Sequence, residues 1–379
     1  MTQPDGPDCR GTRPAAPGRP RTACPPEPRG PVAASPQQAG AAVRGLVPDG
    51  ASGVPPQQAD AARHQAPSDR APSDQAVIDW YQDHARDLPW RRPGTTPWGV
   101  LVSEVMSQQT PVSRVTPAWT AWMARWPGPA DLAGAPVAEV LHAWGRLGYP
   151  RRALRLRECA AAVVERYDGV LPADPDALLA LPGVGEYTAG AVLAFAYGRR
   201  ALALDTNVRR VLARAVGGSA LPAPSLVRAE RDRAAALLPL EDARAARWSV
   251  AVMELGALVC TVREPACPSC PWRRECAWLA AGCPPDKHAR RRRSQAWHGT
   301  DRQARGLVMD RLRRQHAEAS AGREVARGLG RGELLAAAAG VSLARGQHPD
   351  PAQPERVLAS LLADGLIATH DDGATYRLP

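Results

Sequence analysis

The chain has 379 residues and a formal net charge of +10, enough for two or three domains and basic enough to expect an acidic partner, of which nucleic acid is the commonest for a soluble chain. No stretch approaches the roughly 20 apolar residues of a membrane-spanning helix, which argues against an integral helical membrane protein and a membrane partner. Part of the charge is codon bias, because Lys287 is the only lysine and arginine supplies the rest.

Residues 1–72 are rich in Pro, Gly, Ala, Gln and Arg, with few large apolar side chains. Such a segment cannot bury enough surface to offset chain entropy, so disorder is expected there. A start codon set upstream of the true one explains the segment equally well. It holds no continuous hydrophobic run of secretory type, so a reducing compartment is expected.

From Ser73 the pattern turns helical. Ser73-Asp74 is suited to cap a helix carrying Val77, Ile78, Trp80 and Tyr81. After a loop with Pro89, Pro93, Gly94 and Pro97, a second helix is predicted from about Trp98 to Gln109. Further helical patterns cover Ala118–Trp126, Pro136–Leu147, Ala153–Tyr167, Pro175–Leu181, Glu186–Tyr197, Thr206–Val216, Ser225–Leu238 and Arg244–Val259. With no alternating strand signal, this middle region reads as all-α. Lys287-His-Ala-Arg-Arg-Arg-Arg-Ser forms a basic linker (286–299), either a solvated segment or a phosphate contact. Residues 300–379 differ again. Val357, Leu358, Leu361 and Leu362 make a helical stripe ending at Asp364-Gly365, followed by a hairpin turning at Asp372-Gly373, which predicts a small winged-helix-like α+β module.

Four motifs carry chemistry. Cys260, Cys267, Cys270 and Cys276 stand in the spacing C-x6-C-x2-C-x5-C, with Pro265, Pro268 and Pro271 keeping the loop from being helical. In a reducing compartment so tight a set binds metal rather than forming disulfides, and four thiolates suit zinc or an iron–sulfur cluster. One compact loop with a single C-x2-C is more cluster-like, but spacing alone leaves zinc open. Leu181-Pro-Gly183-Val184-Gly185 lies between two helices, where outward amides at a helix N-terminus can hold a DNA phosphate; a plain turn is the commoner use. Glu104 sits among Val100, Leu101, Val102, Val105 and Met106, so partial burial with a raised pKa is expected, although an exposed helical glutamate is the commoner case, and Gln108, Gln109 and Thr110 make an amide-rich helix end able to reach base edges. Asp205 is placed as a helix N-cap and can also face a cleft; Asn207 follows it.

In this order, the motifs resemble the helix–hairpin–helix base-excision DNA glycosylases that carry a [4Fe–4S] loop, over about Ala76 to Cys276. The pieces that carry the likeness are Ser-Glu104-Val-Met-x-Gln-Gln-Thr110, Leu-Gly-Tyr149, Leu181-Pro-Gly-Val-Gly185, Asp205-x-Asn207-Val and the cysteine loop. The Ser-Glu-Val-Met-x-Gln-Gln-Thr version is similar to the adenine DNA glycosylase (MutY-type) branch. The resemblance implies a helical domain at 73–285, with a six-helix barrel at 88–200 and an iron–sulfur subdomain formed by 73–87 plus 201–285. It implies a [4Fe–4S] cluster on the four cysteines, and double-stranded DNA holding adenine opposite 8-oxoguanine or guanine as partner. A monomer in the bacterial cytoplasm, associated with the nucleoid, is expected.

By the same resemblance Glu104 protonates adenine and Asp205 offsets charge on the sugar. Tyr187 and Asn207 stand beside them, Gln109 and Tyr149 wedge into the base stack, and Arg91 and Trp98 line the adenine pocket. The endonuclease III branch carries a catalytic lysine where this chain has Tyr187, and a Schiff-base lyase needs an amine; a monofunctional glycosylase follows. Two features depart from the family. Ser249-Val250 replaces a polar pair after Trp248, and residues 300–379 are too few for the Nudix-like domain that checks for 8-oxoguanine. The rival readings are a T·G or U·G mismatch glycosylase, an endonuclease III-like lyase and a non-catalytic iron–sulfur DNA-binding or redox-sensing factor.

Overall fold

The computed structural model describes residues 71–292, 296–322 and 328–379. The expected disorder of residues 1–72 lies outside the described residues except at Ala71 and Pro72, as do three residues of the basic linker. α1 (Asp74–His84) begins where the Ser73 hydroxyl accepts the Ala76 amide at 3.3 Å. A 3-10 turn, Pro89–Arg91, leads to α2 (Pro97–Ser107), capped by the Thr96 hydroxyl and opened by Pro97, whose missing N–H costs nothing at a helix start. There follow α3 (Val112–Arg125), α4 (Pro129–Gly134), α5 (Val137–Trp144), α6 (Arg151–Tyr167), α7 (Pro175–Leu179) and α8 (Glu186–Phe195). Next come α9 (Thr206–Ala215), α10 (Arg228–Leu237), α11 (Asp242–Leu258), the cysteine loop and α12 (Ala277–Ala280).

Two helices stop short of the sequence expectation for a local reason. α2 ends at Ser107 because Gln109 takes a left-handed backbone, φ 54°, and α5 ends at Trp144 because Gly145 has φ 52°. These breaks create the turns that border the site described below.

Two hydrophobic cores organise the chain. The first joins α2, α3, α5, α6 and α8, with Trp122 edge-on to Trp126 and Trp144 at 4.6 and 5.6 Å between centroids. The second gathers Val77 and Ile78 of α1, Val211 and Leu212 of α9, Val252 and Leu255 of α11, and Trp272 of the cysteine loop. Each such aliphatic side chain, fully buried, contributes about 1.5–3 kcal/mol before entropy is subtracted. The fully buried Glu254 of α11 ties α1 and the following turn to this second core. Its carboxylate accepts the Arg86 amide (3.0 Å), Arg86 Nε and Nη2 (2.7 and 2.8 Å) and Arg91 Nη2 (2.9 Å). Burial pushes this carboxyl up, and the two guanidiniums together outweigh it and hold it at about 2.

The C-terminal module runs α13 (Asp301–Ser320), β1 (Leu329–Gly330), α14 (Arg331–Ala339), α15 (Gln353–Ala363), β2 (Ala368–His370) and β3 (Thr375–Arg377). Its antiparallel sheet has the order β1-β3-β2, with Tyr376 of β3 opposite both Leu329 and Thr369. This helix–strand–helix–helix–hairpin order is the winged-helix topology; β1 was too short to give any alternation in the sequence. The module is docked on the first core rather than tethered to it. Val308, Leu312, Leu358 and Leu361 belong to the same apolar cluster as the barrel helices. Arg313 Nε donates to the Leu141 carbonyl at 3.0 Å, and Arg151 pairs with Asp364 at 3.2 Å.

Candidate active site

A cavity of about 840 Å³ opens between the two cores, within the range of small-molecule and nucleobase sites. Four of its lining groups come from two helix starts and the body of a third helix: Glu104 of α2, Tyr187 in the first turn of α8, and Asp205 and Asn207 at the start of α9. Tyr187 Oη donates to Glu104 Oε2 at 2.6 Å. Burial pushes the Glu104 carboxyl from 4.5 up to about 7; the Tyr187 bond works against this, while the nearby Asp205 charge adds to it. Near neutral pH this carboxyl is poised to give a proton and take one back.

Asp205 does two jobs at once. Its Oδ1 caps α9 by accepting the Val208 amide at 2.7 Å, and its Oδ2 accepts Asn207 Nδ2 at 2.7 Å. Burial raises its pKa, and these two donors together with the Arg210 charge draw it back. Asn207 is oriented in turn by Arg210, whose Nη2 donates to Asn207 Oδ1 at 2.8 Å. Arg210 also reaches the Gly256 carbonyl at 2.7 Å and the Cys260 carbonyl at 2.7 Å, which links the carboxylate to the cysteine loop. Glycine is required at 256 on steric grounds: a Cβ there would stand 2.7 Å from Asn207 Cβ and 2.9 Å from its carbonyl oxygen.

The other expected site residues fall into distinct groups. Arg91, Gln108, Gln109 and Thr110 also line the cavity, and Arg91 is held by Glu254. Thr110 is buried and its hydroxyl donates to the Leu147 carbonyl at 2.9 Å, so its side chain braces two turns. Trp98 does not line the cavity. It is buried in the first core on α2. Val250 lines the cavity where the resemblance leads one to look for a polar contact.

In the hairpin, the Val184 amide closes a turn on the Leu181 carbonyl at 3.2 Å and Gly183 has φ 79°. The side chains of Leu181 and Val184 are buried in the first core. They anchor the turn and leave Gly183 and Gly185, the residue before α8, to present backbone.

Tyr149 lies outside the cavity on the turn before α6, and it shares an unusual property with Gln109. Both are non-glycine residues with a left-handed backbone, φ 46° and 54°, a conformation that costs on the order of 1 kcal/mol or more and persists where surroundings enforce it. The enforcer is Arg152, which sequence reasoning missed. Its Nη1 donates to the Val105 and Gln108 carbonyls at 2.6 and 2.7 Å; Nη2 donates to Thr110 Oγ1 and the Gly148 carbonyl, both at 3.1 Å. Its guanidinium also lies 5.7 Å from the Tyr149 ring centroid. Burial pulls its pKa down to about 10. One signal was visible: Arg151-Arg152 opens a helix, the end where the dipole disfavours cations.

The four loop cysteines line one cavity, bordered by Arg214, Pro265 and Trp278. Arg214 holds the loop backbone through the Thr261 and Val262 carbonyls at 2.6 and 3.0 Å and approaches Cys260 Sγ at 3.4 Å. Among the described residues no three His, Cys, Asp or Glu side chains converge as they would on a single ion. The four thiols do line one cavity, and four cysteines are a donor set that suits zinc or an iron–sulfur cluster.

A family model described as the HhH-GPD superfamily base excision DNA repair protein matches residues 102–236. The adenine DNA glycosylase of Mycolicibacterium smegmatis is 50% identical over 297 residues, 78% of this chain and 93% of that protein. The adenine DNA glycosylase of Homo sapiens is 42% identical over 209 residues, 53% of this chain and 38% of that protein. A solved thermostable thymine-DNA glycosylase matches with a TM-score of 0.50 and 28% identity over 55% of this chain and 95% of its own. The level of identity over most of both chains, together with the family model, shows that the chain belongs to the adenine DNA glycosylase family of the HhH-GPD superfamily of base excision DNA repair proteins.

Proposed function

We propose that this protein is a monofunctional DNA glycosylase of base excision repair that hydrolyses the N-glycosidic bond of adenine paired with 8-oxoguanine or guanine in double-stranded DNA. Family membership supports the enzyme class and the base acted on. The observation that carries the chemistry is the buried Tyr187–Glu104 hydrogen bond at 2.6 Å in a cavity shared with Asp205.

Adenine enters the cavity after extrusion from the duplex. The protonated Glu104 carboxyl gives its proton to a ring nitrogen of the base, so the bond to the sugar breaks with its electron pair leaving on neutral adenine. The sugar becomes oxocarbenium-like, and the Asp205 carboxylate, held by Asn207 and the α9 N-terminus, stabilises that charge. Water adds to the sugar and its proton returns to the Glu104 carboxylate. Gln109 and Tyr149, held in strained turns, fill the space in the base stack, while Gly183 and Gly185 take a phosphate. Lyase chemistry has no amine at this site: Tyr187 stands where the related lyases carry lysine, and Lys287 follows the cysteine loop in sequence.

Cys260, Cys267, Cys270 and Cys276 would hold a [4Fe–4S] cluster whose contribution is to rigidify this loop, with Arg263, Arg273 and Arg274 of the loop facing DNA phosphate. Adenine hydrolysis involves no net electron transfer.

Single-turnover base release tests the reading on duplexes holding adenine opposite 8-oxoguanine, adenine opposite guanine and thymine opposite guanine, with the wild type and Glu104→Gln. Adenine release abolished by Glu104→Gln, without borohydride-trapped adduct, is expected. Thymine release instead of adenine, or a trapped adduct, overturns it.

A further inference from the structure

Tyr149 is not the outer end of its stack. The Arg302 guanidinium, from the first turn of α13, lies 4.8 Å from the Tyr149 ring centroid and 5.3 Å from that of Trp297. Tyrosine, guanidinium and tryptophan thus form a ladder that starts on the strained turn before α6 and ends on the segment entering the C-terminal module. Its last rung stands apart from every other tryptophan. The chain has 11; ten are at most 9% exposed, whereas Trp297 is 48% exposed. Trp297 is thus the one indole in the chain left half exposed, an apolar face open to a partner.

The segment carrying it is fixed. The Thr300 hydroxyl donates to the Trp297 carbonyl at 2.9 Å, and the Gly299 amide donates to the Ser342 carbonyl at 2.9 Å. The ladder is also continuous with the Arg152-braced turns, since the Arg152 guanidinium lies 5.7 Å from the same Tyr149 ring. By contrast, α15, the helix a winged module would normally use to read a groove, has its charges paired internally. Arg356 pairs with Asp301 and Asp350, and Glu355 pairs with Arg331. The module's contribution to DNA binding is therefore sought at its entry, not on α15.

Resting on the intercalating role given to Tyr149 above, we propose that Trp297 and Arg302 extend that wedge into a stacking platform for a nucleobase displaced beside it. A flat apolar face backed by a cation is the surface on which unpaired bases stack, and it tolerates any base because every base presents a π-face.

Binding is measured in the Glu104→Gln background, so that no chemistry intervenes, on an adenine·8-oxoguanine duplex with 2-aminopurine beside the 8-oxoguanine. Trp297→Ala is expected to weaken binding by about five-fold to a hundred-fold and to raise 2-aminopurine fluorescence in the complex. Trp297→Phe should restore most of both, and Arg302→Ala should weaken binding with the salt slope unchanged. Wild-type affinity in Trp297→Ala, or failure of phenylalanine to rescue, overturns the proposal. A salt slope reduced by about one in Arg302→Ala assigns that residue to a phosphate and also overturns it. A failure of the glycosylase reading would show separately, as wild-type protein that binds these duplexes and releases no base.

Discussion

Replacing Glu104 by glutamine should make the protein more stable as it makes it inactive, and the gain should depend on pH. The folded carboxyl titrates at about 7 against an ordinary 4.5, chiefly because it is buried. A group that holds its proton more tightly when folded contributes its full stability below pH 4.5 and loses it as pH rises towards 7. The interval from 4.5 to about 7, at about 1.4 kcal/mol per pH unit, amounts to about 3 kcal/mol. Glutamine carries no charge and keeps an acceptor for the Tyr187 hydroxyl, which removes the cost without removing the bond. Urea unfolding of both proteins from pH 4.5 to 8, followed by far-ultraviolet circular dichroism, should therefore show Glu104→Gln gaining about 3 kcal/mol on the wild type across that range. At roughly 2–4 °C per kcal/mol for a chain of this size, melting at pH 8 should rise by about 6–12 °C. A difference that stays constant with pH, or that shrinks as pH rises, would refute the reasoning.

Three other outcomes follow from the same geometry. Tyr187→Phe removes a bond to a carboxylate worth about 1.5–3 kcal/mol and so raises the Glu104 pKa. The alkaline limb of single-turnover base release should move up by one to two pH units, and a limb that stays or falls would count against the assignment. Gly256→Ala forces α11 off Asn207, where a Cβ has only 2.7 Å; urea unfolding should register a loss of more than about 2 kcal/mol and base release should slow by about a hundred-fold. Arg152→Lys keeps the charge but not the fork that spans both strained turns. Extrusion, followed with 2-aminopurine in the adenine position, should slow by about ten-fold or more, and an unchanged rate would show that the turns hold themselves.

What the sequence disclosed, and what it withheld, follows the range of the interactions concerned. The Ser73 and Asp205 caps were legible because a cap is satisfied within three residues of itself. The terminal hairpin was legible from its own turn residues. Glu104 was readable as partly buried because Val100, Leu101, Val102, Val105 and Met106 surround it on its helix. Trp98 was expected at the pocket from the resemblance alone, and its burial in the first core is set by packing that no local pattern discloses. Arg152 and Glu254 were illegible because Arg152 joins its own turn to partners 42 to 47 positions away and the partners of Glu254 lie 163 to 168 positions away. The strained backbone at Gln109 and Tyr149 has no sequence signature either, since neither is glycine or asparagine.

The second core is stitched by bonds that span most of residues 73–285. Arg244 to Asp74, Trp272 to Ser73 and Arg86 to Glu254 cross 170, 199 and 168 positions. A chain leaving the ribosome N-terminus first therefore presents α1 long before its partners exist. The barrel helices between them have a core of their own and can close in the interval, because domains settle as units during synthesis. Val77, Ile78 and Trp80 must wait uncovered until α11 and the cysteine loop have been made. The second core thus closes with a clasp between α1 and the cysteine loop, before the C-terminal module can complete the first core, and until the clasp shuts the nascent chain is open to aggregation and to capture by chaperones.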